Sequence, residues 1–540
     1  MLIKAIDLRY RYDDQEENLL EKINCEISRR DKIGLIGDNG SGKTTLLQLL
    51  CGDLEADAGQ IIRRRKGVSI GFLRQEMSAL SNLVMIDEVK TVFADIYHVK
   101  TELESTERLM SQKPNDISII KHYGELQDKF EKLGGYSVEN RIETVLTGLE
   151  FTESDCSTPY MKLSSGQRSR VELAKLLLKE PDVLFLDEPT NHLDIPTLEW
   201  LEAFLQHYSN GLLIVSHDRY FLDQVVTKIW EINHRQLRIY SGNYSFYAYE
   251  RELKAKQEEE EYRRKRREIK RLKRAADERT QKAKKVAGKP HKLSNYDPFS
   301  KPFYRTKAAK IEKRAKVIQH RIEKIGKIEK PKRKRDIHLD FRIDKQSSHF
   351  VCVGRNLTKA YGSKILFQNI DFSLTAGQRV AIIGPNGCGK TTLLKILLGE
   401  EQADSGEILL GNNLQIGYSS QELSHLDFNN SILSEIMTEA KDDQSWVRTV
   451  LGCLKLEQDK VFQTIESLSL GERNKVSMAK MLLSHANFLI LDEPTNHLDI
   501  STCETIESAL LEYPGTILFV SHDRRFIEKV ADDVWDFWRQ

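Results

Sequence analysis

The sequence contains no hydrophobic run near the roughly 20 residues that a helix needs to cross a bilayer. Its start, Met1-Leu2-Ile3-Lys4-Ala5-Ile6, lacks the basic segment and apolar core of a secretory signal. The seven cysteines are scattered and none lies in a Cys-x-x-Cys pair, which argues against a disulfide framework and a zinc site. We therefore expect a cytoplasmic protein that reaches a membrane only through another protein.

The formal net charge of +1 conceals a strong separation of charge along the chain. Residues 251–336 contain 33 Lys and Arg against 13 Asp and Glu, so this segment carries +20 and the rest of the chain −19. Such asymmetry is typical of proteins with a polyanionic partner. Helix-favouring composition predicts two long helices, 245 to about 287 and 305–328, and three prolines between 290 and 302 predict an irregular tip.

Three motifs occur twice in the chain, which indicates a duplicated domain. Gly-Asp-Asn-Gly-Ser-Gly-Lys-Thr-Thr at 37–45 has a counterpart at 384–392. Leu-Asp-Glu-Pro-Thr-Asn-His-Leu-Asp at 186–194 recurs letter for letter at 491–499. Ser-His-Asp-Arg at 216 recurs at 521.

The spacing between the copies locates an insertion in the first one. The offset is 346 residues at position 75 and 305 at position 166, so the first copy holds 41 additional residues between them. Segments 91–109 and 117–133 have helical patterns and are separated by Pro114-Asn115-Asp116. We predict a helical hairpin that projects from the first domain, either as a functional arm or as inert surface decoration.

Each Gly-x-x-x-x-Gly-Lys-Thr loop follows an apolar strand and precedes a Leu-rich helix, the context that a phosphate-binding loop requires. Its glycines let backbone N–H groups converge on phosphates at the positive end of the helix dipole. We predict that Lys43 and Lys390 reach the β- and γ-phosphates of ATP and that Thr44 and Thr391 ligate Mg²⁺. The other predicted ATP contacts in the loops are Gly37, Asn39, Gly40, Gly42, Thr45, Gly384, Asn386, Gly387, Gly389 and Thr392.

Two buried-strand patterns end in an Asp-Glu pair, at Asp187-Glu188 and at Asp492-Glu493. We predict that the aspartates hold Mg²⁺. The glutamates would orient the attacking water and accept its proton, which makes them the predicted catalytic bases. The alternative is a pair of strand-end carboxylates with a structural role.

Leu-Ser-Ser-Gly-Gln at 163–167 and Leu-Ser-Leu-Gly-Glu at 468–472 resemble the signature of ABC ATPases, usually Leu-Ser-Gly-Gly-Gln. Both depart from it at the third position, and the second departs also at the fifth. In that family the signature of one domain completes the ATP site of the other. The resemblance therefore implies two composite sites, one of Lys43 with Ser469 and Gly471, and one of Lys390 with Ser164 and Gly166. It also implies catalytic γ-phosphate contacts by His217 and His522 and metal contacts by Gln75 and Gln421. Tyr12 and Tyr361 lie at matching places upstream and are expected to stack on adenine, with simple packing as the alternative.

Two fused ABC domains with a charged helical linker resemble ABC class F. The resemblance implies a first ATPase domain over 1–245 with an arm at about 88–140, a linker over 246–335 with a tip at about 288–305, and a second ATPase domain over 336–540. Understood members of the class act on the ribosome, where they enter the tRNA exit site and send the linker toward peptidyl-tRNA and the peptidyl transferase centre. We therefore expect a monomeric α/β ATPase that binds rRNA and peptidyl-tRNA, with its two domains paired within one chain.

The basic linker by itself is typical of a protein that binds RNA phosphates, and its tip interleaves aromatic with basic residues. The predicted RNA contacts are Arg263, Arg264, Lys265, Arg266, Arg267, Lys292, Tyr296, Phe299, Lys301, Phe303, Tyr304 and Arg305. The alternative is a solvated charged hairpin whose tip aromatics form a small core.

Two other functions remain open: the ATP-binding subunit of a membrane transporter, which needs no such linker, and a DNA-associated ABC ATPase, which carries longer coiled coils or zinc hooks. Within the ribosomal interpretation, a translation factor and an antibiotic-resistance protein are both open. The length of the tip favours resistance.

Overall fold

The computed structural model describes residues 1–13, 17–64, 67–74, 82–191, 193–287, 300–325, 347–362, 364–420, 423, 426–440, 442–456 and 458–537. The chain divides into two compact units, Met1–Tyr244 with Ile337–Gln540, and Ser245–Asp336. In the described ranges, no helix combines the length and the apolar character that crossing a bilayer takes. We call residues 1–244 the first repeat and residues 347–537 the second repeat.

The first repeat alternates strands and helices. Its strands are β1 (Ile3–Tyr10), β2 (Leu20–Ile27), β3 (Lys32–Gly37), β4 (Ala58–Arg63), β5 (Ile70–Leu73), β6 (Val183–Asp187), β7 (Gly211–Val215), β8 (Lys228–Asn233) and β9 (Gln236–Ser241). Its helices are α1 (Lys43–Cys51), α2 (Met85–Lys90), α3 (Ala94–Gln112), α4 (Ile117–Lys132), α5 (Val138–Gly148), α6 (Glu153–Cys156), α7 (Ser165–Lys179), α8 (Ile195–His207) and α9 (Arg219–Val225).

A six-stranded sheet of order β5-β6-β7-β3-β8-β9 forms the centre of the first repeat, and only β9 runs antiparallel to its neighbour. Strands β6 and β7 are apolar along almost their whole length and fully buried. This pattern is typical of parallel strands covered on both faces. Polar residues are therefore confined to the carboxyl ends of the strands, where open α/β sheets bind their ligands.

The second repeat has the same plan. It comprises β10 (Phe350–Tyr361), β11 (Lys364–Thr375), β12 (Arg379–Ile383), α12 (Lys390–Leu398), β13 (Ser405–Leu410), β14 (Ile416–Ser419), α13 (Ile432–Met437), α14 (Gln444–Cys453), α15 (Leu470–Leu482), β15 (Phe488–Asp492), α16 (Ile500–Glu512), β16 (Thr516–Val520), α17 (Arg524–Val530) and β17 (Asp533–Asp536). Its parallel sheet has the order β14-β15-β16-β12-β17. Each repeat adds a three-stranded antiparallel sheet, β2-β1-β4 or β11-β10-β13. The predicted duplicated α/β fold is confirmed.

The insertion in the first repeat forms two helices that pack on each other. Helix α3 begins at Ala94 after a single 3-10 turn at Thr91–Phe93, and α4 begins at Ile117. The side chain of Asp116 caps α4 by accepting a hydrogen bond from the Ser118 backbone N–H at 3.0 Å. The predicted helical hairpin is therefore present, with its break at the expected Pro-Asn-Asp sequence.

The unit Ser245–Asp336 contains most of α10 (Tyr244–Ala287) and all of α11 (Ser300–Ile325). At about 1.5 Å per residue, the 44 residues of α10 extend over about 66 Å. The two helices pack through a small cluster of Leu272, Ala276 and Ile318, and Arg321 donates to Glu268 at 3.2 Å. The two long linker helices are confirmed.

Helix α11 begins five residues earlier than the sequence suggested, at Ser300 rather than at residue 305. Pro302, which we expected to interrupt the helix, lies in its first turn. Proline is tolerated there because the N–H that it lacks has no partner within the helix. The residues of the predicted tip from 300 to 305 are therefore helical, and those from 288 to 299 lie outside the described residues.

Candidate nucleotide-binding sites

The loop between β3 and α1 folds around the side chain of Lys43. The Lys43 ammonium donates to the carbonyl oxygens of Gly37 and Asp38 at 2.9 and 3.1 Å. Gly40 and Gly42 have φ of 74° and 93°, a left-handed conformation that disfavours any residue with a side chain. The amino end of α1 then points into the site, which is the arrangement that binds phosphate.

The second loop repeats this geometry between β12 and α12. The Lys390 ammonium donates to the carbonyl oxygens of Gly384 and Pro385 at 2.7 and 2.9 Å. Both lysines are largely buried, at 8% exposure. The two loops therefore present the same cationic group at equivalent places. We call the surroundings of Lys43 site 1 and those of Lys390 site 2.

The predicted metal ligands of site 1 lie next to each other. The Thr44 hydroxyl donates to Asp187 Oδ2 at 2.7 Å, and the other oxygen of this buried carboxylate has no hydrogen-bond partner in the described part of the chain. A hydroxyl and a carboxylate supply the hard oxygen donors that Mg²⁺ prefers, so these residues fit that ion. In site 2, Thr391 is the second residue of α12 and the buried Asp492 ends β15.

Glu188 follows β6 in a strained conformation. Its φ of 50° is unusual for a residue other than glycine, and its backbone N–H is held by the Val215 carbonyl at 2.9 Å. The carboxylate accepts a hydrogen bond from the His217 backbone N–H at 3.4 Å and lies 3.4 Å from His217 Nε2. The strained turn thus aims the carboxylate at the histidine.

Glu493 and His522 have the same arrangement in the second repeat. Glu493 also has a φ of 50°, and it lies 3.3 Å from the His522 backbone nitrogen and 3.4 Å from His522 Nε2. The two repeats therefore build the same carboxylate–imidazole pair.

Burial controls the protonation of both pairs. It raises the pKa of Glu188 to about 8, against the lowering influence of Lys43, and it raises the pKa of Glu493 to about 8. Burial, followed by the nearby lysine, lowers the pKa of His217 to about 3 and that of His522 to about 4. Both histidines are therefore neutral at physiological pH. Each glutamate is poised to exchange a proton near neutrality, which suits general acid–base chemistry.

Residues of both repeats line one cavity of about 920 Å³ at site 1. The first repeat contributes the loop, Thr44, Asp187, Glu188 and His217, and the second contributes Ser469 and Gly471 from the start of α15. A Cβ atom on Gly471 would lie 2.6 Å from the His497 carbonyl and 3.1 Å from Asn39 Nδ2. Only glycine permits this approach between α15 and the first loop. The structure therefore brings together the residues that the sequence assigned to this composite site.

At site 2 the contact between the repeats runs through Asp194. Its carboxylate accepts a hydrogen bond from the backbone N–H of Asn386, in the second loop, at 3.0 Å. Ser164 caps α7, the helix that corresponds to α15. The remaining predicted residues of the loops lie at the carboxyl ends of β3 and β12 and in the first turns of α1 and α12.

The departure of the second signature at its fifth position has a structural explanation. The Ser164 Oγ atom accepts from the Gln167 backbone N–H, and the Gln167 side chain accepts from the Ser164 backbone N–H at 3.0 Å. Ser469 and Glu472 form the same capping box, with the backbone contact to Glu472 at 3.1 Å. Because this motif accepts either Glu or Gln at that position, the substitution preserves the start of the helix.

The two tyrosines predicted to stack on adenine differ in surroundings. The Tyr12 hydroxyl lies 3.0 Å from Thr45 Oγ1, and the side chain lines the cavity of site 1. Tyr361 is 52% exposed, its hydroxyl donates to Glu401, and the Lys359 ammonium lies 5.2 Å from its ring centroid. Gln75 and Gln421 lie outside the described residues.

The candidate RNA-binding residues in the described ranges lie on the linker helices. The arginines at 263, 264, 266 and 267 are exposed on α10, Lys265 is half-buried, and Arg305 is exposed on α11. Arg263 and Lys265 are bonded to glutamates one turn earlier, at 2.7 and 2.6 Å. Lys301, Phe303 and Tyr304 belong to α11, and their side chains are outside the described set. Lys292, Tyr296 and Phe299 also lie outside the described residues.

The sequence did not reveal which residues join the repeats. Arg219 forms a buried ion pair with Glu507, and the half-buried Arg524 pairs with the buried Glu202. Asn39 donates to the His497 carbonyl at 3.1 Å. The sequence did mark these positions as equivalent in the two repeats. Arg219 and Arg524 end the two copies of the Ser-His-Asp-Arg motif, and Asp194 ends the first copy of the nine-residue motif. Their repetition showed that they were equivalent without showing what they contact.

Comparison with known proteins agrees with this geometry. Residues 20–191 and 367–496 match the family model described as ABC transporter. The chain is 33% identical to ABC transporter F family member 5 of Arabidopsis thaliana, over 98% of this chain and 74% of that protein. It is 33% identical to the ribosome protection protein VmlR of Bacillus subtilis, over 96% and 84%. It is 30% identical to the energy-dependent translational throttle protein EttA of Haemophilus influenzae, over 97% and 89%.

A solved structure of RNase-L Inhibitor superposes with a TM-score of 0.56 at 18% identity, covering 98% of this chain and 87% of that one, which shows a shared fold. The duplicated family match and the F-class relatives agree with the paired phosphate loops, the composite cavity and the helical linker. The chain therefore belongs to the ABC family of ATP-binding proteins and, within it, to class F.

Proposed function

We propose that this protein hydrolyses ATP at two composite sites and uses the cycle to bind and leave the ribosome. The observation that carries the proposal is the cavity at site 1, where the phosphate loop of one repeat faces the signature of the other. Nucleotide bound there contacts both repeats and stabilises their closed arrangement. Hydrolysis removes the γ-phosphate contacts, so the repeats separate.

The side chains of each site divide the catalytic work. Lys43 holds the β- and γ-phosphates. Asn39 in the first loop and Gly471 at the start of α15 enclose the nucleotide between the two repeats. Thr44 and Asp187 would hold Mg²⁺, which supplies charge neutralisation of the phosphates when bound. Glu188 positions water and accepts its proton. Neutral His217, beside that carboxylate, donates a hydrogen bond toward the γ-phosphate. The corresponding residues of the second repeat have the same roles at site 2.

Two observations support the ribosome as the partner. Relatives of similar identity are a ribosome protection protein and a translational throttle protein, and the linker segment 251–336 carries +20. A groove of about 410 Å³ on α10 is lined by Arg267, Lys270, Arg271 and Arg274. Such a row of cations fits the phosphates of RNA. We therefore propose binding at the tRNA exit site, with the linker directed to peptidyl-tRNA and the peptidyl transferase centre, in the cytoplasm.

The direct test is co-sedimentation of ribosomes with the Glu188→Gln/Glu493→Gln double variant in the presence of ATP. This variant should stay closed and remain on the ribosome. Replacing the five basic residues 263–267 by Glu should weaken binding and flatten its dependence on salt, because fewer phosphates are neutralised. The matched control replaces the four arginines of that run by Lys, which keeps the charge and should keep the salt slope. A double variant that never sediments with ribosomes would contradict the ribosomal role.

Deletion of residues 295–304 distinguishes an antibiotic-resistance protein from a translation factor. It removes four aromatic residues and one lysine, so binding should largely survive. In vitro translation is then measured with and without antibiotics that bind the peptidyl transferase centre. Loss of drug protection alone identifies a resistance protein, which the length of the tip favours. Loss of translation activity without any drug identifies a translation factor. ATP turnover that depends on membranes, with neither effect, would instead support a transporter subunit.

A further inference from the structure

The wall that the second repeat contributes to site 1 is rich in lysine. Lys455, Lys460 and Lys475 all line the cavity. The Lys455 ammonium lies 2.6 Å from Asp38 Oδ1, in the phosphate loop of the other repeat, and 3.2 Å from Asp499 Oδ1. Lys475 approaches the second oxygen of Asp499 at 3.2 Å. Three lysines, two of them paired with carboxylates, therefore lie where the two repeats meet over the first loop.

The corresponding wall at site 2 is different. The positions 305 residues earlier hold Glu150, Asp155 and Arg170. Lys455 and Glu150 occupy the same local structure, since both follow a helix end and have left-handed backbones with φ of 62° and 56°. Glu150 lies close enough to Asp194, the residue that contacts the second loop, for that carboxylate to raise the pKa of Glu150. A second carboxyl group thus stands where site 1 has a lysine.

The signatures themselves show the same reversal of charge. Lys460 donates to Glu472 at 2.6 Å, whereas Gln167 donates to Asp155 at 3.2 Å. One wall therefore pairs a cation with an anionic signature residue, and the other pairs an anion with a neutral one. The hydrogen bond between the signature residue and its partner is therefore present at both sites, but the partner is a cation at site 1 and an anion at site 2.

The two walls differ in formal charge by three units. Three lysines with Glu472 and Asp499 give the wall of site 1 a charge of +1. One arginine, three carboxyl groups and Gln167 give the wall of site 2, which includes Asp194, a charge of −2 when all three carboxyl groups are ionised. Asp38, in the facing first loop, has the uncharged Pro385 as its counterpart, so the difference between the whole sites is two units when Asp38 is included. The phosphates of a nucleotide are strongly negative, so the first wall attracts them and the second repels them. The phosphate-loop lysines, the glutamates and the histidines are the same in both sites, so the difference concerns retention rather than chemistry.

We propose that the two sites hold nucleotide unequally, with site 1 retaining ATP and ADP longer and site 2 opening first. The inference rests on the proposed function only in that both sites bind ATP. The charge of the wall should affect how long the nucleotide stays bound. The wall moves away from the nucleotide when the repeats separate, and attraction between them slows this step. Each cycle then begins to open at the end of the interface that contains Asp194.

The test uses full-length protein in the Glu188→Gln/Glu493→Gln background, so that hydrolysis does not intervene. Adding Lys390→Ala leaves only site 1, and adding Lys43→Ala leaves only site 2. Dissociation of a fluorescent ATP analogue, mant-ATP with Mg²⁺, is followed by stopped flow after a chase with unlabelled ATP. We expect dissociation from site 1 to be about tenfold slower at low ionic strength, and this ratio should shrink as salt rises.

Exchanging the wall charges should exchange the behaviour. Lys455→Glu with Lys460→Asp should speed release from site 1, and Glu150→Lys with Asp155→Lys should slow release from site 2. The milder Lys455→Gln and Glu150→Gln should shift the rates in the same directions and disturb folding less. Lys121→Glu with Lys129→Glu, on the arm, is the matched control and should change neither rate.

Three results of the release measurements test whether site 1 retains nucleotide longer than site 2. Slower release from site 1 that responds to the wall variants supports the inference. Equal release from both sites, unaffected by the wall variants, overturns it and leaves the proposed function intact. Failure of mant-ATP to bind any of the proteins overturns the proposed function and the inference together.

Discussion

The centre and the rim of the contact between the repeats are built differently. At the centre the same ion pair occurs twice, since Arg219 pairs with Glu507 and Arg524 pairs with Glu202. At the rim the equivalent positions differ, with Lys455 at one end and Glu150 at the other. The ion pairs that join the repeats at the centre are thus common to both copies, whereas the surroundings of the two nucleotide sites differ where the copies diverge.

Removing both carboxylates that we propose as catalytic bases should have the largest effect, because it acts on the part of the sites that the repeats share. Glu188→Gln with Glu493→Gln keeps the shape of each side chain and removes the base. Phosphate release at saturating ATP should fall about 10²- to 10⁴-fold, the usual contribution of a general base. ATP binding should persist.

The two single variants sharpen the comparison between the sites. If the sites are unequal, Glu188→Gln and Glu493→Gln should leave different residual rates of turnover. Wild-type turnover in the double variant would rule out the assigned roles of both glutamates.

Breaking the central ion pairs should have the next largest effect. Glu507→Ala leaves Arg219 charged, buried and without its principal carboxylate, which costs about 3–5 kcal/mol in comparable pairs. Glu202→Ala should cost less because Arg524 is 13% exposed and Arg219 only 2%. The measurement is the urea midpoint of unfolding in the presence of ATP. Glu512→Ala, on the exposed face of the same helix as Glu507, is the control, and a Glu507 variant as stable as this control would contradict the role of the pair.

A bulky residue in one signature should affect the site of the other repeat. Ser469→Arg places a long side chain in the cavity around Lys43, so nucleotide trapping at site 1 should fall at least about tenfold while site 2 is retained. Ser164→Arg should do the reverse, and Ser469→Ala is the matched small variant. Site-specific trapping of a photoreactive ATP analogue distinguishes the sites. Loss of trapping only at Lys390 in the Ser469→Arg variant would show that the pairing is wrong.

The smallest expected effect is a pH dependence at the rim of site 2. Burial, followed by the neighbouring Asp194, raises the pKa of Glu150 to about 7, while Arg170 opposes the shift. Protonated Glu150 therefore contributes to the free energy of unfolding. This contribution is complete below pH 4.5, the ordinary pKa of the carboxyl group, and is lost as pH rises through about 7.

The melting temperature should therefore decline between about pH 4.5 and about pH 7 more in the wild type than in Glu150→Gln. The difference should be modest because Glu150 is only partly shielded and solvent screens its carboxyl group. Lys455→Gln, at the equivalent position of site 1, should keep the wild-type pH profile. Identical profiles for the wild type and Glu150→Gln would exclude the carboxyl pair as the cause.

The sequence was informative wherever a function is local. The phosphate loops, the strand-end Asp-Glu pairs and the insertion each occupy a short segment with its own pattern, and the structure has them where expected. Lys455 and Glu507 gave no such signal, because their importance depends on contacts more than 280 positions away along the chain. The predicted start of α11 was wrong for a local reason. A proline in the interior of a helix breaks it, but a proline in the first turn, such as Pro302, is tolerated.

The separation of the two parts of site 1 along the chain has a consequence for synthesis. Ser469 is encoded 426 positions after Lys43. At about 5–20 residues per second, a ribosome takes about 20–85 s to add the second after the first. During this interval the first repeat can fold around its own sheet, but it has no partner wall for its phosphate loop. Site 1 therefore has no wall from the second repeat until the chain has been extended past Ser469, and a product that terminates before that residue has only the first-repeat half of this site.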